Sequence, residues 1–254
     1  MATNELREEW KRLAPEWIRT SREGPNPSRT GLLDGPMVEA CGDVRGQTVL
    51  DCGCGEGRFC RTLLARGAKQ AVGVDLCPEM VKAAAELAIE RDGYVVADVE
   101  NMSFLRDGIF DLAVSYLNQC DLADFESNSR EVFRVLKPGG RFVIANLHPM
   151  RSAVGGWSRA EDGSKLHVIL DRYFDEGKRR WKIMGSDFTN FHRTLSTYIR
   201  GYLRAGFEIG EIVEPTVDAG NLKRFPELVD ELRVPNFIIV VLRKTAGGRG
   251  RGGA

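Results

Sequence analysis

Between Val49 and Gly57 the chain reads Val-Leu-Asp-Cys-Gly-Cys-Gly-Glu-Gly, an apolar run ending in an acid and three alternating glycines. Glycines spaced this way permit a tight turn and let backbone come close to a ligand. A helix opening straight after such a turn presents free N–H groups to that ligand. Two further acids end apolar segments: Asp75 after Ala71–Val74, and Asp98 after Tyr94–Ala97. A carboxylate at the tip of a second strand can accept both hydroxyls of a ribose, and one at the tip of a third is within reach of an adenine amino group. The set asks for a nucleoside. A dinucleotide fingerprint would read Gly-x-Gly-x-x-Gly; Gly53 and Gly55 fit, but Arg58 takes the third position and glycine comes one step early, at Gly57. Asp51 can orient the loop or meet a ligand ammonium through water. Each acid also has a plainer reading, Asp51 as a helix-capping acid and Asp75 as the cap of a helix starting at Pro78.

These residues need elements to position them. Leu6, Trp10, Leu13 and Trp17 recur at three- and four-residue steps, so residues 4–19 are expected to form an amphipathic helix. A loop rich in Pro, Gly and Ser follows, then a short helix over 32–42. From Gln47 the pattern alternates. Strands are expected at 48–52, 71–75, 94–97, 109–115 and 141–146, with helices at 56–66, 78–90 and 124–136 between them. Pro78 suits a first helical turn, and Pro138-Gly139-Gly140 should stop the helix before the fifth strand. Short apolar strands alternating with amphipathic helices indicate an α/β fold with a parallel sheet covered on both faces. The alternation breaks at 148–190, where Leu166–Tyr173 and Lys178–Ile183 flank Asp175-Glu176-Gly177 and read as one antiparallel hairpin inserted over the sheet. A helix over 193–205 and strands over 207–213 and 236–242 close the pattern. The expected organisation is a helical lid (1–46), a core (47–147), a substrate-side insertion (148–190), the rest of the same α/β domain (191–244) and a disordered Gly/Arg tail (245–254).

The chain has 254 residues, 36 basic and 36 acidic. A net charge of zero argues against a dedicated nucleic-acid or anionic-membrane binder, which needs a large positive field. No apolar run approaches the roughly 18–20 residues of a membrane span, and the charged N-terminus lacks the apolar core of a secretory signal. The six cysteines show no metal-ligand spacing and read as reduced thiols of a cytoplasmic enzyme. No metal is expected.

The segments VLDCGCGEG, AVGVDLCPEM, ADVENMSF, FDLAVSYLNQCDL and LKPGGRFVIANLHP occur in that order over roughly residues 47–150. Together they resemble the class I S-adenosylmethionine-dependent methyltransferases, the small-molecule branch in particular. FHRTLSTYIRGYLRAGFEIGEIVEP looks like the C-terminal half of such enzymes. The resemblance implies a doubly wound, Rossmann-like, mostly parallel sheet of seven strands with an antiparallel edge hairpin, and S-adenosylmethionine as cofactor. By position, Asp51, Gly53, Cys54, Gly55 and Gly57 would wrap the methionine part. Asp75 would bind the ribose, with Leu76 and Met80 beside the adenine. Asp98 would accept from the adenine amino group, flanked by Val99, and Ser115, Tyr116 and Leu117 would line the sulfonium side. Trp10, Trp17, Arg29 and Asn118 are candidates on the substrate side, although the tryptophans also suit simple packing.

Methyl transfer from a sulfonium is an in-line displacement, so a protein has mainly to position the nucleophile and exclude water. A base is needed only where the acceptor must lose a proton. His148, after the fifth strand, and His192, before a helix, are candidate bases; the alternative is that each caps or orients a loop. Ser115-Tyr116-Leu117-Asn118 is not the Pro-Pro-aromatic loop of exocyclic-amine methylation, and no Pro-Cys loop for pyrimidine C5 methylation is present. Lys178-Arg179-Arg180-Trp181-Lys182 could touch nucleic acid, but a charged hairpin edge is the plainer reading. The expected function is methylation of an O, N, S or C atom of a small molecule, without nucleic-acid or membrane partners. An RNA or protein methyltransferase and a non-catalytic cofactor-binding module are the alternatives.

Overall fold

The computed structural model describes residues 2–245. The chain opens with α1 (Ala2–Glu23), a π-helical turn (Pro27–Leu33) and α2 (Asp34–Cys41). Five strand segments follow with helices between most of them: β1 (Thr48–Cys52), α3 (Arg58–Ala65), β2 (Gln70–Asp75), α4 (Pro78–Glu86), β3 (Asp92–Val96), β4 (Phe110–Tyr116), α5 (Phe125–Val135) and β5 (Leu136–Leu147). After the short α6 (Pro149–Ser152) come β6 (Val154–Arg159), β7 (Lys165–Leu170), β8 (Gly177–Ile183) and β9 (Ser186–His192). The chain then runs through α7 (Leu195–Arg204), β10 (Glu208–Val213), α8 (Ala219–Arg224), a 3₁₀ segment (Pro226–Leu232) and β11 (Phe237–Arg243).

Seven strands form the main sheet in the order β10-β11-β5-β4-β1-β2-β3. β1 is parallel to both β2 and β4, and β11 runs antiparallel to β5 and to β10. The sheet is thus doubly wound and mostly parallel, with an antiparallel pair toward one edge. Alternate residues of each strand face opposite sides. Val49, Leu112, Val143 and Ile239 pack with α2 and α3 on one side; Leu50, Ala113, Phe142 and Val240 pack with α5 and α7 on the other. The strand order reverses between β1 and β4, and the crevice beyond the carboxyl ends at such a switch point is where open α/β sheets take ligands.

Three expectations need correction. The insertion is two hairpins, not one: β6 pairs with β7, and β8 pairs with β9. Asp175-Glu176-Gly177 therefore joins two hairpins instead of closing one. The second hairpin turns at Met184-Gly185, where both residues have positive φ (51° and 78°), as a two-residue turn matched to strand twist requires. Second, Leu136–Gly140 is not a helix stop alone. It is the opening of β5, and the register with β4 slips between Phe110 and Leu112 to absorb it. Third, the helix after Pro78 ends at Glu86, four residues short of expectation, because the Asp92 carboxylate accepts from Ile89 N–H and draws the chain into a turn toward β3. The Gly/Arg tail lies, except for its first residue, outside the described residues.

Among the described residues all six cysteines are free and buried, no helix is long and apolar enough to cross a membrane, and no His/Cys/Asp/Glu group is arranged to hold a metal ion.

Candidate active site

A cavity lies at the carboxyl ends of β1 to β4, roofed by α1. Its floor is the turn after β1. Gly53 and Gly55 both hold positive φ (75° and 54°), and a Cβ at Gly53 would collide with the Asn118 side chain. Only glycine lets the two loops approach this closely. Gly53 and Cys54 N–H both donate to Val74 O, at 2.8 and 3.1 Å, tying the turn to β2.

Asp51, Gly53, Cys54 and Gly55 line the cavity, as do Asp75, Leu76 and Met80. Asp98 and Val99 line it from the end of β3, and Tyr116, Leu117 and Asn118 from the end of β4. Trp10, Trp17 and Arg29 face it from the N-terminal segment. The sequence therefore brings these fifteen expected residues to one place, counting four, three, two, three and three from the five segments. Four others are not there. Gly57 caps α3 in a left-handed conformation. Ser115 is fully buried and accepts from Gln119 Nε2. His148 and His192 do not line the cavity, and each ring is occupied elsewhere. His148 Nδ1 caps α6 by accepting from Met150 N–H, and its Nε2 meets Glu214 at 3.0 Å. His192, fully buried, pairs Nδ1 with the Ser152 hydroxyl at 2.5 Å and Nε2 with Tyr173 O at 2.8 Å. Their places in the sequence could not reveal that His148 caps α6 and meets Glu214, or that His192 ties α6 to the segment between β7 and β8.

Electrostatics divide the cavity. Asp51 is 1 % exposed. Its Oδ2 accepts from the Cys60 thiol at 3.4 Å, and its Oδ1 has no partner. Burial, opposed by the Cys60 bond and reinforced by the Asp75 charge, pushes its carboxyl up to about 7. Asn118 Oδ1 is also buried without a partner. Two orphaned acceptors beside one cavity are costly unless a donor fills them. Asp75 accepts from Gly55 N–H at 2.8 Å and from Cys77 N–H at 2.9 Å. Burial raises its pKa and those backbone donors oppose the rise. Each carboxylate oxygen retains lone-pair capacity for a ligand hydroxyl.

Seven lining residues were not anticipated: Leu6, Glu56, Arg58, Phe59, Glu100, Asp121 and Leu122. Arg58 pairs with Asp34 at 2.9 Å and stacks on Tyr116, whose hydroxyl donates to Asp34 at 2.7 Å. Arg29 differs. It stacks on Trp17 at 5.2 Å and donates to Ser21 Oγ, but no carboxylate partner for it occurs among the ion pairs of the described residues. Burial and the neighbouring Arg58 charge lower its pKa. Leu117 adopts φ 59°, a strained setting for a branched residue, and Leu117 N–H is held by Ala145 O at 2.8 Å.

Known proteins resolve what kind of nucleoside site this is. A family model described as a methyltransferase domain matches residues 50–144. The solved S-adenosylmethionine-dependent methyltransferase of Mesorhizobium loti aligns with TM-score 0.74 and 30 % identity, covering 82 % of this chain and 96 % of that one. The chain belongs to the S-adenosylmethionine-dependent methyltransferases. An uncharacterised protein of Haemophilus influenzae is 26 % identical over 86 % of this chain and 90 % of its own. The ubiquinone biosynthesis O-methyltransferase of Xanthomonas oryzae is 35 % identical over 116 residues, 44 % of this chain and 47 % of that protein. The chain thus spans about half the length of that named relative.

The cofactor of this methyltransferase is S-adenosylmethionine, and the donor set suits it. A zwitterionic amino acid needs acceptors for its ammonium and a cation for its carboxylate. The cavity offers the unpartnered Oδ1 atoms of Asp51 and Asn118 and, in Arg29, a guanidinium with no carboxylate partner among the ion pairs of the described residues.

Proposed function

We propose that this methyltransferase acts on a small molecule admitted between α1 and the loop after β4. S-adenosylmethionine, when bound, supplies a methyl already activated by the sulfonium charge. The residues supply grip and enclosure. Asp51 Oδ1 and Asn118 Oδ1 would take the ammonium, and Arg29 the carboxylate. Asp75 would take the ribose hydroxyls, with Leu76, Met80 and Val99 beside the base and Asp98 toward its amino group. Gly57 and Ser115 act one step back, the first by starting α3 and the second by bracing the loop after β4.

The observation that carries the small-molecule reading is the roof. Leu6, Trp10 and Trp17 come down from α1 over the cavity, and Leu122 faces it from the far wall. Trp10 packs edge-on against Trp17 and Phe188, with centroids at 5.3 and 4.8 Å. A cavity roofed by apolar side chains suits a small acceptor, and a bound acceptor would displace water from beneath that roof, which strengthens the charge interactions inside. The ubiquinone O-methyltransferase likeness of the core supports the same class. Two members of the basic run in β8 are engaged with the roof: Lys178 meets Glu5 at 2.8 Å and Arg180 meets Glu9 at 2.6 Å.

The test is transfer of label. Protein given isotopically labelled S-adenosylmethionine and a metabolite extract should place label in a compound of low molecular mass, identified by mass spectrometry. Label confined to RNA or protein fractions would reject the reading.

A further inference from the structure

Asp121, in the loop after β4, is a buried acid of the cavity that the methyl-donor site does not use. It lies three residues beyond Asn118, is 6 % exposed, and lines the cavity with Leu122 beside it and Leu6 and Trp10 on the roof. Its two oxygens are treated differently. Oδ1 accepts from the Asn190 amide and from the Cys120 thiol. Oδ2 has no partner, yet is not among the fully buried unpartnered atoms. The carboxylate is anchored on one side and open on the other.

The anchor comes from outside the nucleoside-binding elements. Asn190 sits in β9, between Thr189, which is bonded to Glu9 of α1, and Phe191, whose N–H donates to Cys120 O at 2.7 Å. Phe188 of the same strand packs on Trp10. One strand of the insertion therefore holds both the roof and this acid. The ribose and adenine acids, by contrast, stand at the ends of β2 and β3.

We propose that Asp121 is the catalytic acid–base residue of the acceptor side, its free Oδ2 hydrogen-bonding the nucleophilic atom of an O–H or N–H acceptor and taking its proton. The balance is simple. The acceptor's lone pair forms the new bond to the methyl carbon, the carbon–sulfur bonding pair remains on sulfur as a neutral thioether, and the acceptor's proton passes to the carboxylate. This rests on the methyl-donor reading of the cavity above. Burial, opposed by the Cys120 and Asn190 bonds and reinforced by the Asp75 and Glu9 charges, pushes the Asp121 carboxyl up to about 8, a value suited to exchanging protons near neutrality.

The test needs no acceptor. Sinefungin carries a primary amine where the donor carries its methylsulfonium, and S-adenosylhomocysteine carries neither. Calorimetry on the full chain should show Asp121→Asn binding S-adenosylhomocysteine within about twofold of wild type, while sinefungin weakens by about fivefold, as expected when its ammonium loses a carboxylate that it reaches through water across the acceptor atom's place. In wild type the preference for sinefungin should grow as pH rises toward about 8; in Asp121→Asn it should be flat. Asn190→Ala, which removes a donor to the carboxylate, should keep S-adenosylhomocysteine affinity and move that pH dependence upward. Equal weakening of both ligands, or of neither, overturns the role of Asp121 and leaves the donor site standing. Failure of wild-type protein to bind S-adenosylhomocysteine overturns both.

Discussion

Asp75 holds two backbone N–H groups before any ligand arrives, and that double duty shapes what its substitution does. An alanine there removes the proposed ribose acceptor and also frees Gly55, a glycine of the turn after β1. Losing charge-assisted bonds to two hydroxyls costs about 2–4 kcal/mol, so Asp75→Ala should weaken S-adenosylmethionine by about 30-fold or more in calorimetry. Asn keeps one acceptor oxygen, and Asp75→Asn should fall between the two. Unchanged affinity in the alanine variant would remove Asp75 from the ribose site. Among single residues, the legible ones were those whose role follows from strand geometry: an acid or glycine at a strand end has few places to be. Asp121 and Arg29 are of another kind. Asp121 sits in a loop, and only the fold reveals that Asn190, far along the chain, claims one of its oxygens. Arg29 reads from the sequence only as a substrate-side candidate, because no spacing announces that its neighbour Arg58 has Asp34 and that Arg29 has no carboxylate among the ion pairs of the described residues.

The element that most needs explanation is α1. Its apolar stripe was readable from Leu6, Trp10, Leu13 and Trp17, but what it packs on was not. Part of the stripe closes on Cys77 and Met80 of the α4 region. Another anchor is polar: Glu9, 3 % exposed, accepts from Thr189 N–H at 2.9 Å, from its hydroxyl at 3.1 Å and from Arg180 at 2.6 Å. Removing the carboxylate leaves a buried N–H without a partner, a cost of about 1–3 kcal/mol; Arg180 is more than half exposed, and its pairing adds little. Glu9→Ala should therefore lower stability by about that amount in urea titration, and should speed amide exchange in α1 more than in the central strands. Uniform exchange across the molecule would mean that Glu9 does not secure the roof. The same comparison shows why the core elements were legible and the insertion was not. β1, β2 and β4 are buried, β-branched or apolar runs bounded by turn residues. β6 to β8 hold only exposed and half-buried positions, so their hydrophobic signal is weak, while β9 buries polar Thr189, Asn190 and His192 beside Phe188. The turn that pairs β8 with β9 rests on a positive φ at Met184 that no composition rule marks.

At the scale of the whole molecule the buried acids link ligand binding to pH. Asp51 is raised from 3.8 to about 7 in the folded chain. A raised acid favours folding in its protonated form. Its contribution is full below the unfolded value, declines as pH rises from about 4, and is gone above about 7. Burial acts on Asp75 and Asp121 in the same direction. The unliganded protein therefore becomes less stable as pH rises, in part through Asp51 and Asp75, the acids that a ligand ammonium and ribose would satisfy. Ligand at about a hundred times its Kd adds about 2.7 kcal/mol, which for a chain of this size raises Tm by about 5–10 °C. At pH 6 a carboxyl with a pKa of about 7 is ionised in about one molecule in ten, which weakens binding that requires the carboxylate by about 1.4 kcal/mol. The thermal shift given by a fixed concentration of S-adenosylhomocysteine should accordingly grow from pH 6 to pH 8. In Asp51→Asn it should be smaller and much flatter, since the orphaned Oδ1 is replaced by a group that does not titrate. A shift that stays constant with pH in the wild type, or a slope that survives intact in Asp51→Asn, would show that the ammonium end of the ligand is held elsewhere.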